Sequence, residues 1–308
     1  MAVRVGIIGA GRRAVSVYKP ALAAAEGLSV AAVADIDERA AHRLADAFGA
    51  VACASSQALL QMDVDGVIVA VPPRLKDAIS LTVLEAGKHL FVESPAAQSA
   101  GAVRRLAQKA RQRNLTVEVA EDEAFWPAAV QHRADGAAGR LGRVVAVHND
   151  CREFYYHAYA RLHILLGTLP RPLRYGGWQA ALPSVGRVTW RAVQFADGLV
   201  YTQRFIHPRE HSAAVRPRWI VAGERGTLID AQSTEQHIAG LRYLLEQWLA
   251  AQHGRGTAAY GLGKAEEDIA IWQGLEAAAR LPLRNVSAQF AERLADSWIA
   301  VRQRFTGN

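Results

Sequence analysis

Cysteine is nearly absent: Cys53 and Cys151 stand alone, with no short spacing to each other or to a metal-ligand set. That excludes a disulfide framework and a structural zinc site, and it fits a reducing compartment. No apolar run reaches the roughly 20 residues that cross a bilayer, so no membrane partner is expected. No charged and hydrophobic leader precedes the strand-like start at Val3, so a cytoplasmic protein is expected. Lys and Arg outnumber Asp and Glu by 36 to 29, yet no long basic run occurs. Charge spread in this way is not the footprint of a nucleic-acid binder, and it suits an anionic ligand such as a dinucleotide. No repeat, low-complexity tract or Pro/Gly/Ser-rich linker divides the chain. No serine or cysteine nucleophile constellation is visible, and no metal is expected.

What is present is a chain of 308 residues, 51% hydrophobic and 21% charged, enough for two domains. Its first part alternates strand and helix. Apolar runs at 3–8 (VRVGII), 28–34 (LSVAAVA), 66–71 (GVIVAV), 89–93 (HLFVE) and 115–119 (LTVEV), with a weaker run at 50–54, read as buried parallel strands. Helical stretches lie between them, with Asp37 and Ser99 placed as N-caps. Strict alternation predicts an α/β fold, a doubly wound parallel sheet of the Rossmann type over residues 1–120.

Between the first strand and the first helix lies Gly9-Ala10-Gly11-Arg12-Arg13-Ala14. Gly9 and Gly11 permit the tight turn and a close approach to a pyrophosphate on the helix N-terminus, and Ala14 still permits close helix packing. Asp35 ends the second strand, where a carboxylate accepts bonds from the adenosine ribose hydroxyls. An acid there favours NAD, while Arg12, Arg13 and Arg39 leave NADP open.

Four stretches together resemble the Gfo/Idh/MocA family of oxidoreductases. They are GIIGAGRRA (6–14) with VADID (33–37), AVPPRLKDAISLTVLEAGKHLFVESP (70–95), FWPAAVQHRADGAAGRLGRVVAV (125–147) and GERGTLID (223–230). The resemblance implies a C-terminal α+β domain over residues 121–308, with an open, mostly antiparallel sheet that covers the nicotinamide site and serves a homodimer or homotetramer. Locally, 143–150, 187–196 and 199–206 alternate like strands, Ala196-Asp197-Gly198 suits a hairpin turn, and 241–253, 265–279 and 287–305 look helical. A small-molecule substrate is expected between the domains, at the C-terminal ends of the parallel strands.

The resemblance also locates site residues. The family's Glu-Lys-Pro becomes Glu93-Ser94-Pro95, so the lysine that assists proton transfer is missing. Ser94 donates a hydrogen bond but is no cationic acid. Glu93, Val71 and Pro72 are placed on the cofactor side, and Pro95 is expected to keep a cis peptide. The family's Asp-x-x-x-His pair becomes Glu153 and His157, which share a helix face, and the acid that follows it becomes Ala160. His157 is the candidate acid or base. Lys76 stands near the family's P-x-x-x-H histidine: it either reaches the nicotinamide side and partly replaces the missing lysine, or is an exposed helix-start residue. Glu121, Asp122 and Glu123 read as a solvated turn, with Asp122 a substrate candidate for protonating a nitrogen. Tyr155, Tyr156 and Tyr159 either line a substrate pocket or pack in the core. His207 and His211 have no assigned place.

Three functions compete on this reading. The first is an NAD(P)-dependent oxidoreductase of unusual substrate, such as an imine, whose reduction asks less of the missing lysine. The second is a non-redox enzyme (cyclisation, elimination or isomerisation). The third is a cofactor-binding protein that has lost catalysis.

Overall fold

The computed structural model describes residues 2–151, 157–182, 186–208, 218–231 and 235–279. Its first half is a six-stranded parallel sheet built from β1 (Val3–Ile8), β2 (Leu28–Ala34), β3 (Val51–Cys53), β4 (Gly66–Val69), β5 (His89–Glu93) and β6 (Val117–Ala120). The order is β3-β2-β1-β4-β5-β6. Chain direction across the sheet therefore reverses between β1 and β4, and a crevice opens beyond their C-terminal ends. All four residues of β4 are buried, as expected of a strand covered on both faces.

The connecting helices begin where local chemistry says they should. Asp37 accepts the amides of Arg39 and Ala40 and starts α2 (Glu38–Asp46). Ser99 accepts the amide of Ala102 and starts α5 (Ala100–Arg113), which ends on Asn114 in the left-handed region. The first helix departs from regularity: Ala14–Tyr18 form a π-helical turn that runs into α1 (Lys19–Ala24). Helix α3 (Ser56–Leu60) and helix α4 (Pro73–Glu85) complete the layers.

After a short 3-10 turn (Asp122–Phe125) and α6 (Pro127–Ala137), the chain enters a second sheet. It contains β7 (Val144–Cys151), β8 (Pro172–Leu182), β9 (Gly186–Phe195), β10 (Val200–Pro208), β11 (Arg218–Gly223) and β12 (Thr227–Ala231). The order is β12-β11-β7-β10-β9-β8. Only β7 and β10 pair parallel, so the sheet is mixed and mostly antiparallel. Helix α7 (His157–Leu166) lies against it, where Tyr159 meets Tyr201 edge-on at 5.6 Å. Tyr159 is thus a core residue, not a pocket residue. The expected helix at 287–305 lies outside the described residues, as do Glu153, Tyr155, Tyr156 and His211.

The two halves are tied by the last two helices. Helix α8 (Glu235–Gln252) returns to the parallel sheet and sets Trp248 against Phe91, ring centroids 5.5 Å apart. A Cβ on Gly66 would stand 2.6 Å from the Trp248 ring, so only glycine leaves space for that indole. Ahead of α9 (Leu262–Ala279), the amides of Ala259 and Tyr260 bond to the buried carboxylate of Glu118, and the Val119 amide bonds to the Tyr260 carbonyl. Burial pushes the Glu118 carboxyl up to about 8. Later sequence therefore completes the cover of the first sheet. Truncating Trp248 to alanine empties a fully buried indole site under β4 and β5 and should cost about 3–5 kcal/mol, read as a lower urea midpoint.

Candidate active site

The parallel strands deliver a set of polar side chains to the crevice. At the end of β1 the turn needs glycine: Gly9 has φ +104°, and a Cβ there would lie 2.5 Å from the Ala70 carbonyl oxygen. Gly11 has nothing within 4 Å of a Cβ position, which leaves an open backbone face at the start of the helix. Asp35 accepts the Ala10 amide at 2.6 Å and the Asp37 amide at 2.9 Å. It therefore holds the glycine loop, a role the ribose argument does not foresee, and a carboxylate retains further lone pairs for a ligand. A dinucleotide pyrophosphate fits this cradle: open backbone at Gly11, buried Ala14 behind it, and an acid at the ribose position. Val71 and Pro72 follow β4 on the other side of the switch point.

Arg13 does not face the ribose. Its guanidinium bonds Glu93 at 3.1 Å and Asp122 at 2.8 Å, bridging the glycine loop to the ends of β5 and β6. Burial opposes the charge, and the two carboxylates more than offset that, so the cation is firmly held. Asp122, expected to meet substrate, is instead buried against this arginine. Tyr18 is fully buried beside Glu93, and burial and that carboxylate push its phenol well above the usual range.

Two expectations are overturned here. The run Glu121-Asp122-Glu123 is no solvated turn: all three side chains are buried, because α7 and α8 close over it. Gly240 of α8 marks that closure, since a Cβ there would lie 2.3 Å from the Asp122 carbonyl oxygen. Nor is Lys76 an exposed helix-start residue; it is 1% exposed. Its ammonium donates to the carbonyls of Ser94 at 3.1 Å and Pro95 at 2.9 Å. The Ser94–Pro95 peptide is cis, as expected. Burial lowers the Lys76 pKa to about 8, against the pull of Glu93, Glu121 and Asp77.

His157, at the first turn of α7, comes to the same place. Its Nδ1 lies 2.8 Å from Glu121 Oε2 and 3.4 Å from Ser94 Oγ. The ring is 28% exposed and Glu121 is 0%. Burial opposes the imidazolium, but Glu121 first, then Glu123 and Asp122, raise its pKa to about 10. Burial pushes Glu121 up to about 7 despite His157. The structure thus brings together Lys76, Ser94, Glu93, Arg13 and His157. Glu121 is the member that sequence reasoning passed over. Its position directly after a parallel strand was the available signal, hidden because three adjacent acids suggest solvent.

Comparison with known proteins bears on the fold and on the cofactor domain. Residues 3–121 match a family model described as an oxidoreductase family with an NAD-binding Rossmann fold, the GFO_IDH_MocA model. A curated relative, dTDP-3,4-didehydro-2,6-dideoxy-alpha-D-glucose 3-reductase of Streptomyces violaceoruber, is 34% identical over 153 residues, covering 47% of this chain and 43% of the relative. The chain thus matches less than half the length of that relative. Among solved structures, an enzyme of gentamicin A biosynthesis in complex with NAD superposes with TM-score 0.79 at 20% identity, covering 90% of this chain and 94% of that one. The WlbA dehydrogenase of Bordetella pertussis, with NADH and UDP-GlcNAcA bound, gives TM-score 0.75 at 16% identity, covering 92% and 98%. At these identities the likeness establishes the fold. No helix among the described residues is long and apolar enough to cross a membrane.

The His157–Glu121 pair has a consequence for pH dependence. Both groups hold their protons more tightly in the folded chain, with pKa values of about 10 and 7 against ordinary values of 6.5 and 4.5. Their contribution to stability is fully present below about pH 4.5 and is lost as pH rises through about 7 and then 10. Urea midpoints of the wild type should fall over that range more steeply than those of a Glu121→Gln/His157→Gln double variant. Parallel slopes would show that the pair is not coupled as described.

Proposed function

We propose that this chain, whose residues 3–121 match the oxidoreductase family model with an NAD-binding Rossmann fold, is an NAD-dependent oxidoreductase acting at a carbonyl or carbinol carbon of a small, sugar-like substrate. The observation that carries this reading is Lys76. Its buried amine donates to the carbonyls of Ser94 and Pro95 at the turn after β5, and the Oγ of the same Ser94 lies 3.4 Å from His157 Nδ1. Gly9, Gly11, Ala14 and Asp35 are the residues that would hold the dinucleotide. Such a cofactor, when bound, supplies or removes a hydride at the substrate carbon.

The chain's own residues manage the proton. Among the described residues, Lys76 and His157 are the groups to which proton exchange with a substrate oxygen is assigned, and Ser94 Oγ lies 3.4 Å from the imidazole Nδ1. The C=N alternative drew on the loss of a cationic acid from this turn. With an amine returned to it by α4, a carbonyl substrate needs no further explanation. The dTDP-sugar named for the Streptomyces relative and the UDP-sugar bound to the Bordetella enzyme support a sugar-like class.

The preference for NAD over NADP rests on three residues. Asp35 would repel a 2′-phosphate, Arg13 is committed to Glu93 and Asp122, and the next residue along from Asp35 is Ile36, 98% exposed and uncharged. Titration with NADH and with NADPH, followed by energy transfer from tryptophan to nicotinamide, should show NADH bound at least ~10-fold more tightly, a difference of about 1.4 kcal/mol. Asp35→Ala should weaken NADH binding by a similar factor and erase the preference. Binding of neither dinucleotide would end the oxidoreductase reading.

A further inference from the structure

Glu121 carries an inference of its own, one that rests on the reading of the cleft as an oxidoreductase site. Its carboxylate is completely buried at the C-terminal end of β6. One oxygen accepts from His157 Nδ1, and the other, Oε1, has no hydrogen-bond partner among the described residues. An unshared buried carboxylate oxygen is costly, and the cost is tolerable where a cation lies alongside. Nothing in the sequence requires an acid at this point for packing; neighbouring positions of β6 are Val119 and Ala120.

Among the described residues, charges gather at this end of the sheet from several elements. Glu121, Asp122 and Glu123 follow β6, Glu93 ends β5, and Asp268 lies on α9; against them stand Lys76 of α4 and Arg13 of the first helix. Glu93 and Asp122 are taken by Arg13. Asp268 is taken by the Tyr260 hydroxyl and lies 3.2 Å from His163 Nε2. Among the described residues, Glu121 is the carboxylate that meets the His157 ring within hydrogen-bond distance.

We propose that Glu121 is a positioning residue that fixes His157 through Nδ1 and holds it as an imidazolium, so that the ring serves as proton donor to the oxygen of a ketone or the nitrogen of an imine. With Nδ1 committed to Glu121, the proton given up is the one on Nε2. Its N–H bond breaks as an O–H or N–H bond forms on the substrate. The ring is left as neutral imidazole, still donating from Nδ1 to the carboxylate.

Nitrogen-15 NMR of the histidine side chains tests this on the whole chain without any substrate, the His157 signal being assigned by its loss in His157→Gln. In the wild type the ring is expected to stay doubly protonated through pH 8. In Glu121→Gln its midpoint should fall by at least ~2 pH units, a hundredfold loss of proton affinity. Glu118→Gln, which removes another buried carboxylate from the same strand, should leave the midpoint in place. A wild-type midpoint near 6.5, an unchanged midpoint in Glu121→Gln, or an equal fall in Glu118→Gln would each overturn the proposal. If Glu121→Gln does not fold, the wild-type titration decides by itself. NADH binding by the wild type tests the cofactor reading separately, so the two fail distinguishably.

Discussion

The double ion pair of Arg13 is the contact on which the site depends. One guanidinium, planar and always charged, joins the glycine loop after β1 to Glu93 at the end of β5 and Asp122 after β6. Asp122 is wholly buried, so without Arg13 it would be a carboxylate held out of water with its main cation gone. Removing one partner of such a pair costs more than the pair's net worth, because the other, buried charge loses compensation. Buried ion pairs contribute little to stability compared with apolar packing; what this one fixes is geometry. It sets the spacing between the cradle for a dinucleotide and the strand ends that face it.

Charge balance then explains the remaining residues. The end of β6 brings three acids into the interior, and the end of β5 brings a fourth, half-buried, beside them. Arg13 neutralises two of them, and His157 pairs with Glu121. Among the described residues Lys76 makes no direct ion pair; it donates to two backbone carbonyls, and burial lowers its pKa to about 8. An amine near neutrality and an imidazolium held by a carboxylate are groups with different proton affinities set side by side. Pairs pushed apart in this way are how a site divides acid from base work.

The parallel half was legible because its signals are local. A buried strand announces itself as an apolar run, a glycine turn as Gly9 and Gly11, and a helix start as Asp37 or Ser99. The second sheet was legible in β7, β9 and β10, where alternation is regular, and not in β8, whose sequence PLRYGGWQAAL carries two glycines and little alternation. The return of α8 could not be read. Trp248 against Gly66 is a contact between residues far apart in sequence, and neither residue type predicts the other. Glu121 was misjudged, and the burial of Lys76 left open, for a related reason. Lysine and adjacent acids are usually exposed, and only the tertiary cover supplied by α7 and α8 buries them.

Lys76 also bears on what the loss of the Glu-Lys-Pro lysine means. The resemblance places the reactive amine on the residue after β5, and this chain has Ser94 there. A lysine stem from α4 spans the gap and delivers its nitrogen to the carbonyls of Ser94 and Pro95. An ammonium is thus present at this turn, carried by a helix and not by the strand end. Serine is small enough to leave room for that stem, and its hydroxyl adds a contact to His157 at 3.4 Å. Burying an ammonium is costly, and the two backbone carbonyls that accept from it offset part of that cost while tying α4 to the turn after β5.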